Sequence, residues 1–333
     1  MNLYTTLQKL CLCPSISGRE DNIRGLLSEM ILPFVNEARV DALGNLIAKK
    51  SGKGAGSSIM LCAHMDEIGF LVNFIEDSGM LRVATIGGIS MTASVYSEVQ
   101  SESGVRGVLV PNADTKPVDL KADKLYIDIG AKSKKEAERR VSVGDFFVQK
   151  GSLTRLMGKR VAGRPLDDRV GCAVLLDIAE RLSKEELTSD VYYVFSVQEE
   201  VGCRGSMTAA FGISPDYALC FDVTATGDTP SSVAMACKLC GGAAVKIKDN
   251  SVICSEEVVT KLCSIAEEKK IPYQREILTF GGTDTSSMQL SGGGCLAGAL
   301  SIPTRYIHSG VETCDLSDAE ACSRLAVEFI KEL

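Results

Sequence analysis

The chain has 333 residues, 45% of them hydrophobic and 24% charged, with a net charge of −7 and no tryptophan. That length allows one large or two ordinary domains with an ample core, and the composition is that of a soluble globular protein. The acidic balance excludes a basic footprint for nucleic acid or an anionic membrane, and no apolar run is long enough to span a bilayer, so a cytoplasmic location is expected.

Leu3 to Cys13 has helical apolar spacing and stops at Pro14, and Ser17-Gly18-Arg19-Glu20 opens a second amphipathic helix to about Ile31. Ala38 to Lys49 alternates around a Gly44-Asn45 turn and reads as a hairpin, followed by a flexible loop over Gly52 to Ser57. Ser58 to Ala63 is a short buried strand that delivers His64-Met65-Asp66-Glu67-Ile68-Gly69.

From about Phe70 to Lys159 the texture changes to short strands, at Met80–Ile86, Val105–Val110, Leu125–Ile129 and Val141–Val148, with one charged helix at Ser133–Arg140. No cysteine occurs between Cys62 and Cys172, although the chain has 13. Strand density and this compositional gap predict a small β domain over 70–159, inserted into an α/β domain formed by 1–69 and 160–333. The insert holds none of the candidate metal ligands, and its short strands imply edges that self-association would cover.

The α/β texture returns at Gly163 to Gly171, with the doublet Asp167-Asp168 just before a helix carrying Val170, Val174, Ile178 and Leu182 at four-residue spacing. The β-branched and aromatic run from Val191 ends on Glu199-Glu200 before Gly202. Read as adjacent strand residues, the two acids point to opposite sides, so one suits a metal and its neighbour a proton. Asp216 to Phe221 is a strand ending in Asp222, and Ser255 to Lys269 is a helix. Gly281-Gly282-Thr283-Asp284 and Gly292-Gly293-Gly294 are loops that permit close backbone approach. Leu296 to Ile302 leads to His308, and Ser317-x-x-Glu320 reads as a capping box opening the last helix.

Without a secretory leader, the cysteines fit a reducing compartment, and Cys62, Cys172, Cys220 and Cys263 sit among apolar residues as core side chains. Histidine is more telling: only His64 and His308 occur, and both fall near carboxylate-bearing strand ends. His64, Asp167, Glu200, Asp222 and His308 suit two divalent ions of the Zn, Co or Mn kind, with a carboxylate of the Asp167-Asp168 doublet placed to bridge. Asp66 is positioned to accept the second imidazole N–H of His64.

His64-Met-Asp-Glu-Ile-Gly, Leu166-Asp-Asp-Arg-Val-Gly-Cys, Gln198-Glu-Glu-Val-Gly-Cys-Arg-Gly, Phe221-Asp-Val-Thr, Gly281-Gly-Thr-Asp and Pro303-Thr-Arg-Tyr-Ile-His-Ser resemble the dinuclear-metal aminopeptidases that build tetrahedral (TET-type) particles. That family includes glutamyl, leucyl and lysyl aminopeptidases and some proteins labelled endoglucanases. The resemblance covers nearly the whole chain. It implies a mixed central sheet flanked by helices, with an inserted small β-barrel-like domain that mediates dimers and then a dodecamer. It also implies that His64 and Asp222 hold one ion, Glu200 and His308 the other, and Asp167 bridges. Glu199 would be the general base, Asp66 the partner of His64, and short peptides the substrates. Two other readings compete. A glycoside hydrolase would use paired acids but has no need of two histidines, and 5% aromatic residues leave little for a sugar-stacking platform. A non-catalytic metal-dependent scaffold would not need Glu199.

Overall fold

The structure, a computed structural model, describes residues 1–54 and 56–333. The loop expected over Gly52–Ser57 contains Ala55, which lies outside the described residues. Among the described residues, 11 strands form the main sheet. Nine lie in the spatial order Glu37–Val40, Leu46–Lys50, Val191–Ser196, Ile59–His64, Tyr217–Thr224, Leu296–Arg305, Glu312–Asp315, Arg160–Arg164 and Ser152–Arg155. Ala243–Lys248 pairs beside Leu296–Arg305 and carries Tyr273–Ile277 on its far side. The four strands from Val191–Ser196 to Leu296–Arg305 run parallel, and antiparallel hairpins finish both edges. Their C-terminal ends therefore open together on one side, where ligands bind in such sheets.

Helices cover both faces because the central strands are apolar on both. Ile59–His64 is buried at every position, as parallel strands between helix layers are. Leu61 and Ala63 join a core with Phe195, Phe221 and residues of helices Leu3–Cys11, Arg169–Leu182, Glu256–Glu268 and Leu316–Lys331. Met60 and Cys62 turn to the opposite face, against Val194, Ala210 of helix Arg204–Ile213 and Met288 of helix Thr285–Gln289. The helix Arg169–Leu182 buries Val170, Val174, Ile178 and Leu182 completely or nearly so, each worth about 1.5–3 kcal/mol. Asp168 caps its start by accepting from Gly171 N at 3.0 Å, a bond whose loss costs about 1 kcal/mol.

The expected inserted β element is a closed six-stranded antiparallel barrel, with strands Gly69–Ile75, Leu81–Ile86, Leu125–Asp128, Arg106–Pro111, Ser97–Ser101 and Phe146–Gln149. Phe70, Val83, Leu109, Ile127 and Phe147 fill its own core. Closure overturns the expectation of exposed strand edges: Phe146–Gln149 pairs with both Gly69–Ile75 and Ser97–Ser101, so any self-association uses side-chain surface instead. Two barrel strands, Gly69–Ile75 and Ser97–Ser101, escape the sequence reading, and the helix expected over Ser133–Arg140 is one turn, Lys134–Ala137. The hairpin after the barrel, Ser152–Arg155 with Arg160–Arg164, already belongs to the main sheet.

The capping box at Ser317 does not form. The last helix is Leu316–Lys331, capped by Asp315, whose carboxylate takes both the amide and the hydroxyl of Ser317 at 2.9 and 2.5 Å. Glu320 instead pairs with Lys159 at 3.3 Å. A buried polar seam joins barrel, sheet and N-terminal helix. Glu67 receives Arg164 at 3.1 Å and Arg169 at 3.5 Å, while Arg169 also donates to the carbonyls of Leu10 and Cys13 at 2.6 and 3.0 Å. All 13 cysteines are free thiols.

Candidate metal centre

The parallel strand Ile59–His64 ends by placing His64 in the crevice at the sheet's C-terminal edge, only 2% exposed. Its Nδ1 lies 3.0 Å from the main-chain carbonyl of Asp66 and 3.5 Å from Asp66 Oδ1, so the carbonyl is the nearer acceptor. Its Nε2 faces acids: Asp167 Oδ1 at 3.0 Å, and Glu199 Oε2 and Asp222 Oδ1 each at 3.9 Å. His308 arrives from the turn after Leu296–Arg305. Its Nε2 lies 3.1 Å from Asp167 Oδ2 and 3.3 Å from Glu200 Oε1. The two oxygens of Asp167 therefore each address a different histidine. Within the doublet, Asp167 faces the imidazoles while Asp168 turns to cap the helix.

Glu199 and Glu200 do not lie on the strand. It ends at Ser196, and Gln198 adopts a left-handed φ of 57°, so the chain folds back into a turn. Asp66 pins that turn by accepting from Glu199 N at 3.0 Å and Glu200 N at 3.2 Å, with Ser17 Oγ donating to it at 2.6 Å. The alternation expected of strand neighbours is lost, and both acids line the same cavity of about 720 Å³ as His64, Asp167, Asp222 and His308. Asp66 stands behind them, fully buried.

The donor set fits divalent cations. His64, Asp167 and Glu200 offer ligand atoms within 4.8 Å of one another, and so do His64, Asp168 and Asp222. Asp168 Oδ2 and Glu200 Oε1 are buried without an aligned hydrogen-bond partner. Five carboxylates against two imidazoles is an excess of buried negative charge that demands positive charge. Protons respond accordingly. Burial pulls His308 down, but its contacts with Asp167 and Glu200 outweigh this and raise its pKa to about 11. His64 is likewise pushed well above its ordinary value against its burial, by Asp167 and Asp66. Burial raises Glu199 well above the usual carboxylate range, and the charges of Asp222, Asp284 and Glu200 add to this against His64. A cation at these positions would take the place of such protons.

Sequence reasoning missed several contributors. Glu312, 1% exposed, accepts from Leu166 N at 2.6 Å, Asp167 N at 3.2 Å and His308 N at 2.8 Å, tying the loops that carry Asp167 and His308 together. Asp284, beneath Glu199, accepts from Ser196 and Ser206, each at 2.5 Å. The barrel is not detached from the site: Gly88 O accepts from His308 Nδ1 at 2.6 Å, and a Cβ at Gly88 would come within 3.3 Å of that nitrogen. Asp284 was visible only as the last residue of the Gly281-Gly282-Thr283-Asp284 loop, with no role given to it, and Glu312 only as an acid four residues after a histidine in a turn.

A mixed sheet that gathers two histidines and a cluster of carboxylates just beyond its strand ends fits a metal-dependent hydrolase. Residues 44–325 match the family model described as M42 glutamyl aminopeptidase. A protein of Acetivibrio thermocellus named as a candidate aminopeptidase is 45% identical over 330 residues, 99% of this chain and 98% of its own length. Among solved structures, aminopeptidase APDkam598 from the archaeon Desulfurococcus kamchatkensis superposes with a TM-score of 0.95 at 40% identity, covering 99% of this chain and 95% of the other. Pyrococcus horikoshii TET1 peptidase, described as assembling into a tetrahedron or a large octahedral shell, gives 0.90 at 37% identity with 100% of both chains covered. The chain belongs to the M42 aminopeptidase family and is a metalloaminopeptidase.

Proposed function

We propose that the chain releases N-terminal residues from short peptides at a centre of two divalent cations, Zn or Co in first place and Mn as a third choice. His64 and Asp222 would hold one cation, Glu200 and His308 the other, with Asp167 between them. The observation that carries this reading is the pair of contacts from one carboxylate: Asp167 Oδ1 at 3.0 Å from His64 and Oδ2 at 3.1 Å from His308. The bound cations would supply Lewis acidity, lowering the pKa of water to about 7 and polarising the scissile carbonyl.

The rest falls to the chain's own groups. Glu199 sits 12% exposed in the cavity wall with Oε2 3.9 Å from His64 Nε2, and Cys203 Sγ donates to its Oε1 at 3.2 Å. Its place in the cavity wall beside the proposed cation positions suits a group that accepts a proton from the attacking water and delivers it to the departing amine. Asp66 fixes the Glu199-Glu200 turn through two backbone amides, and Glu312 fixes Asp167 and His308 relative to each other. The carboxylate excess attracts the substrate's ammonium terminus, which makes the reaction an exopeptidase one. Self-association to a dodecamer built from dimers through the barrel is supported by the TET1 relative and by Phe74 and Val143, which stand 54% and 63% exposed on the barrel. Sedimentation as a monomer at micromolar concentration would count against that part alone.

Glu199→Gln tests the chemistry. It should retain the fold and the bound metal and lose turnover by about 10²–10⁴-fold, the scale of a general base. Full turnover in this variant would remove Glu199 from the reaction.

A further inference from the structure

A further set of metal-ligand atoms lies on the side of Glu199 that faces away from the histidines. Glu199, Cys203 and Asp284 each offer an atom within 4.8 Å of the other two. The turn after Ser196 brings the first two together. The amides of Gly202 and Cys203 both donate to the Glu199 carbonyl, at 2.8 and 2.9 Å, and Cys203 takes a left-handed φ of 52°. This points the thiol back at the carboxylate, with Sγ 3.2 Å from Glu199 Oε1. Asp284 comes from a distant loop and lies beneath them, 1% exposed. Its side-chain partners are all neutral: the hydroxyls of Ser196 and Ser206, each at 2.5 Å, and the Cys62 thiol at 3.4 Å. A fully buried carboxylate that no positive side chain answers is a place for a cation. Oδ1 accepts only from Ser206, which leaves it a lone pair for a metal.

We infer that Glu199, Cys203 and Asp284 form an additional cation site, filled by a thiophilic divalent ion such as Zn when metal is in excess, and that filling it stops the reaction by occupying Glu199. A thiolate beside two carboxylates suits Zn or its stand-in Co rather than Mg or Ca, which take oxygen ligands. Glu199 and Cys203 line the cavity, so an ion reaches them from solvent. Binding breaks the S–H bond of Cys203, forms a metal–sulfur bond and sends the proton to solvent. Burial, and then the charges of Glu199 and Asp284, hold that thiol protonated until a cation arrives. Cations in the neighbouring centre repel a further one. Both effects make this the weakest of the sites, so it fills after the paired centre. The inhibition rests on the reading of Glu199 as the base, whereas the site itself rests on the three donors alone.

The test adds Zn or Co in excess to the metal-loaded native chain and to Cys203→Ser, each normalised to its own Leu-p-nitroanilide turnover with the paired centre filled. Native turnover should fall with excess Zn, and excess Co should bring a thiolate-to-metal charge-transfer band in the near ultraviolet. Cys203→Ser should lose the band and need at least about 10–100-fold more Zn for half-inhibition, the loss typical even of groups that only support a ligand. In native crystals soaked with excess Zn, an anomalous-scattering peak should stand between the three side chains, a readout that needs no variant. No peak there, or a band and an inhibition unchanged in Cys203→Ser, would overturn the site. A Cys203-dependent band with native turnover unmoved would support the site but overturn the inhibition, and with it the role of Glu199 as base. Absence of turnover in every sample would overturn the peptidase reading, while the band and the peak would still decide the site.

Discussion

Glu312→Gln isolates what holds the two halves of the metal centre in register. The native carboxylate accepts Leu166 N and Asp167 N on one oxygen and His308 N on the other. An amide has one oxygen, and it should settle where it keeps two of these bonds. The His308 amide would then face an NH₂ group, losing a 2.8 Å hydrogen bond to a charged acceptor. Such a bond is worth about 1.5–3 kcal/mol, and the buried N–H left unpaired falls in the same range. The metal-free variant should therefore unfold in urea with stability lower by about 1.5–3 kcal/mol. Because Glu312 holds the backbone of the proposed ligands Asp167 and His308 from behind, metal affinity should also fall, by about 10–100-fold, with an ion on the His308 side losing more. Isothermal titration of Zn or Co into the chelated chain reads both sites, and Glu320→Gln serves as a surface control with a change below about 0.5 kcal/mol. Unchanged affinities and unchanged stability would refute the claim that this acid organises the centre.

Other outcomes follow from the same geometry. Gly87 has a φ of +77°, and a Cβ there would come within 2.5 Å of Ile68 and 3.2 Å of Glu200 Oε2. Gly87→Ala should cost about 1–3 kcal/mol and weaken metal retention, both visible by urea unfolding and metal analysis. Arg169→Met leaves the fully buried Glu67 with Arg164 as its one cation and strands the carbonyls of Leu10 and Cys13. It should destabilise the chain by about 3–5 kcal/mol, and a loss under 1 kcal/mol in urea would show the seam to be dispensable. The Arg305 guanidinium holds Asp228 down at about 2. Its share of stability is therefore present above the unfolded carboxylate pKa of about 3.9 and lost as pH falls through about 2. Native and Arg305→Gln chains should therefore differ most in urea stability above about pH 4 and converge near pH 2, and equal stabilities throughout would refute the pairing.

What the sequence made legible was the part written in rare side chains at the ends of apolar runs. His64 and His308 are the only histidines, and strands Ile59–His64 and Tyr217–Thr224 are continuous enough to show where His64 and Asp222 emerge. A barrel was implied by the family resemblance alone; its closure could not be read from the residues, because it depends on pairings such as Val99 with Gln149, set by register across a long loop rather than by local pattern. The placing of Glu199 and Glu200 on one side depends on the left-handed backbone at Gln198, a residue with no glycine or asparagine to announce it. Gly88 contributes only a carbonyl to the site, which no side-chain motif records. Glu312 looks like an ordinary strand acid until the fold removes it from water, and Asp284 shows only as the end of a glycine-rich motif without a stated role.

The central claim is a centre that needs two cations, and stepwise reconstitution tests it most directly. The chelated enzyme would be titrated with Zn or Co while bound metal and Leu-p-nitroanilide turnover are followed on the same samples. Metal content should approach two ions per chain, the number implied by Asp167 facing both His64 and His308 and by a bridged pair of sites. Turnover should rise mainly with the second equivalent. Full activity after exhaustive chelation, or binding that saturates at one ion with full turnover, would contradict the account.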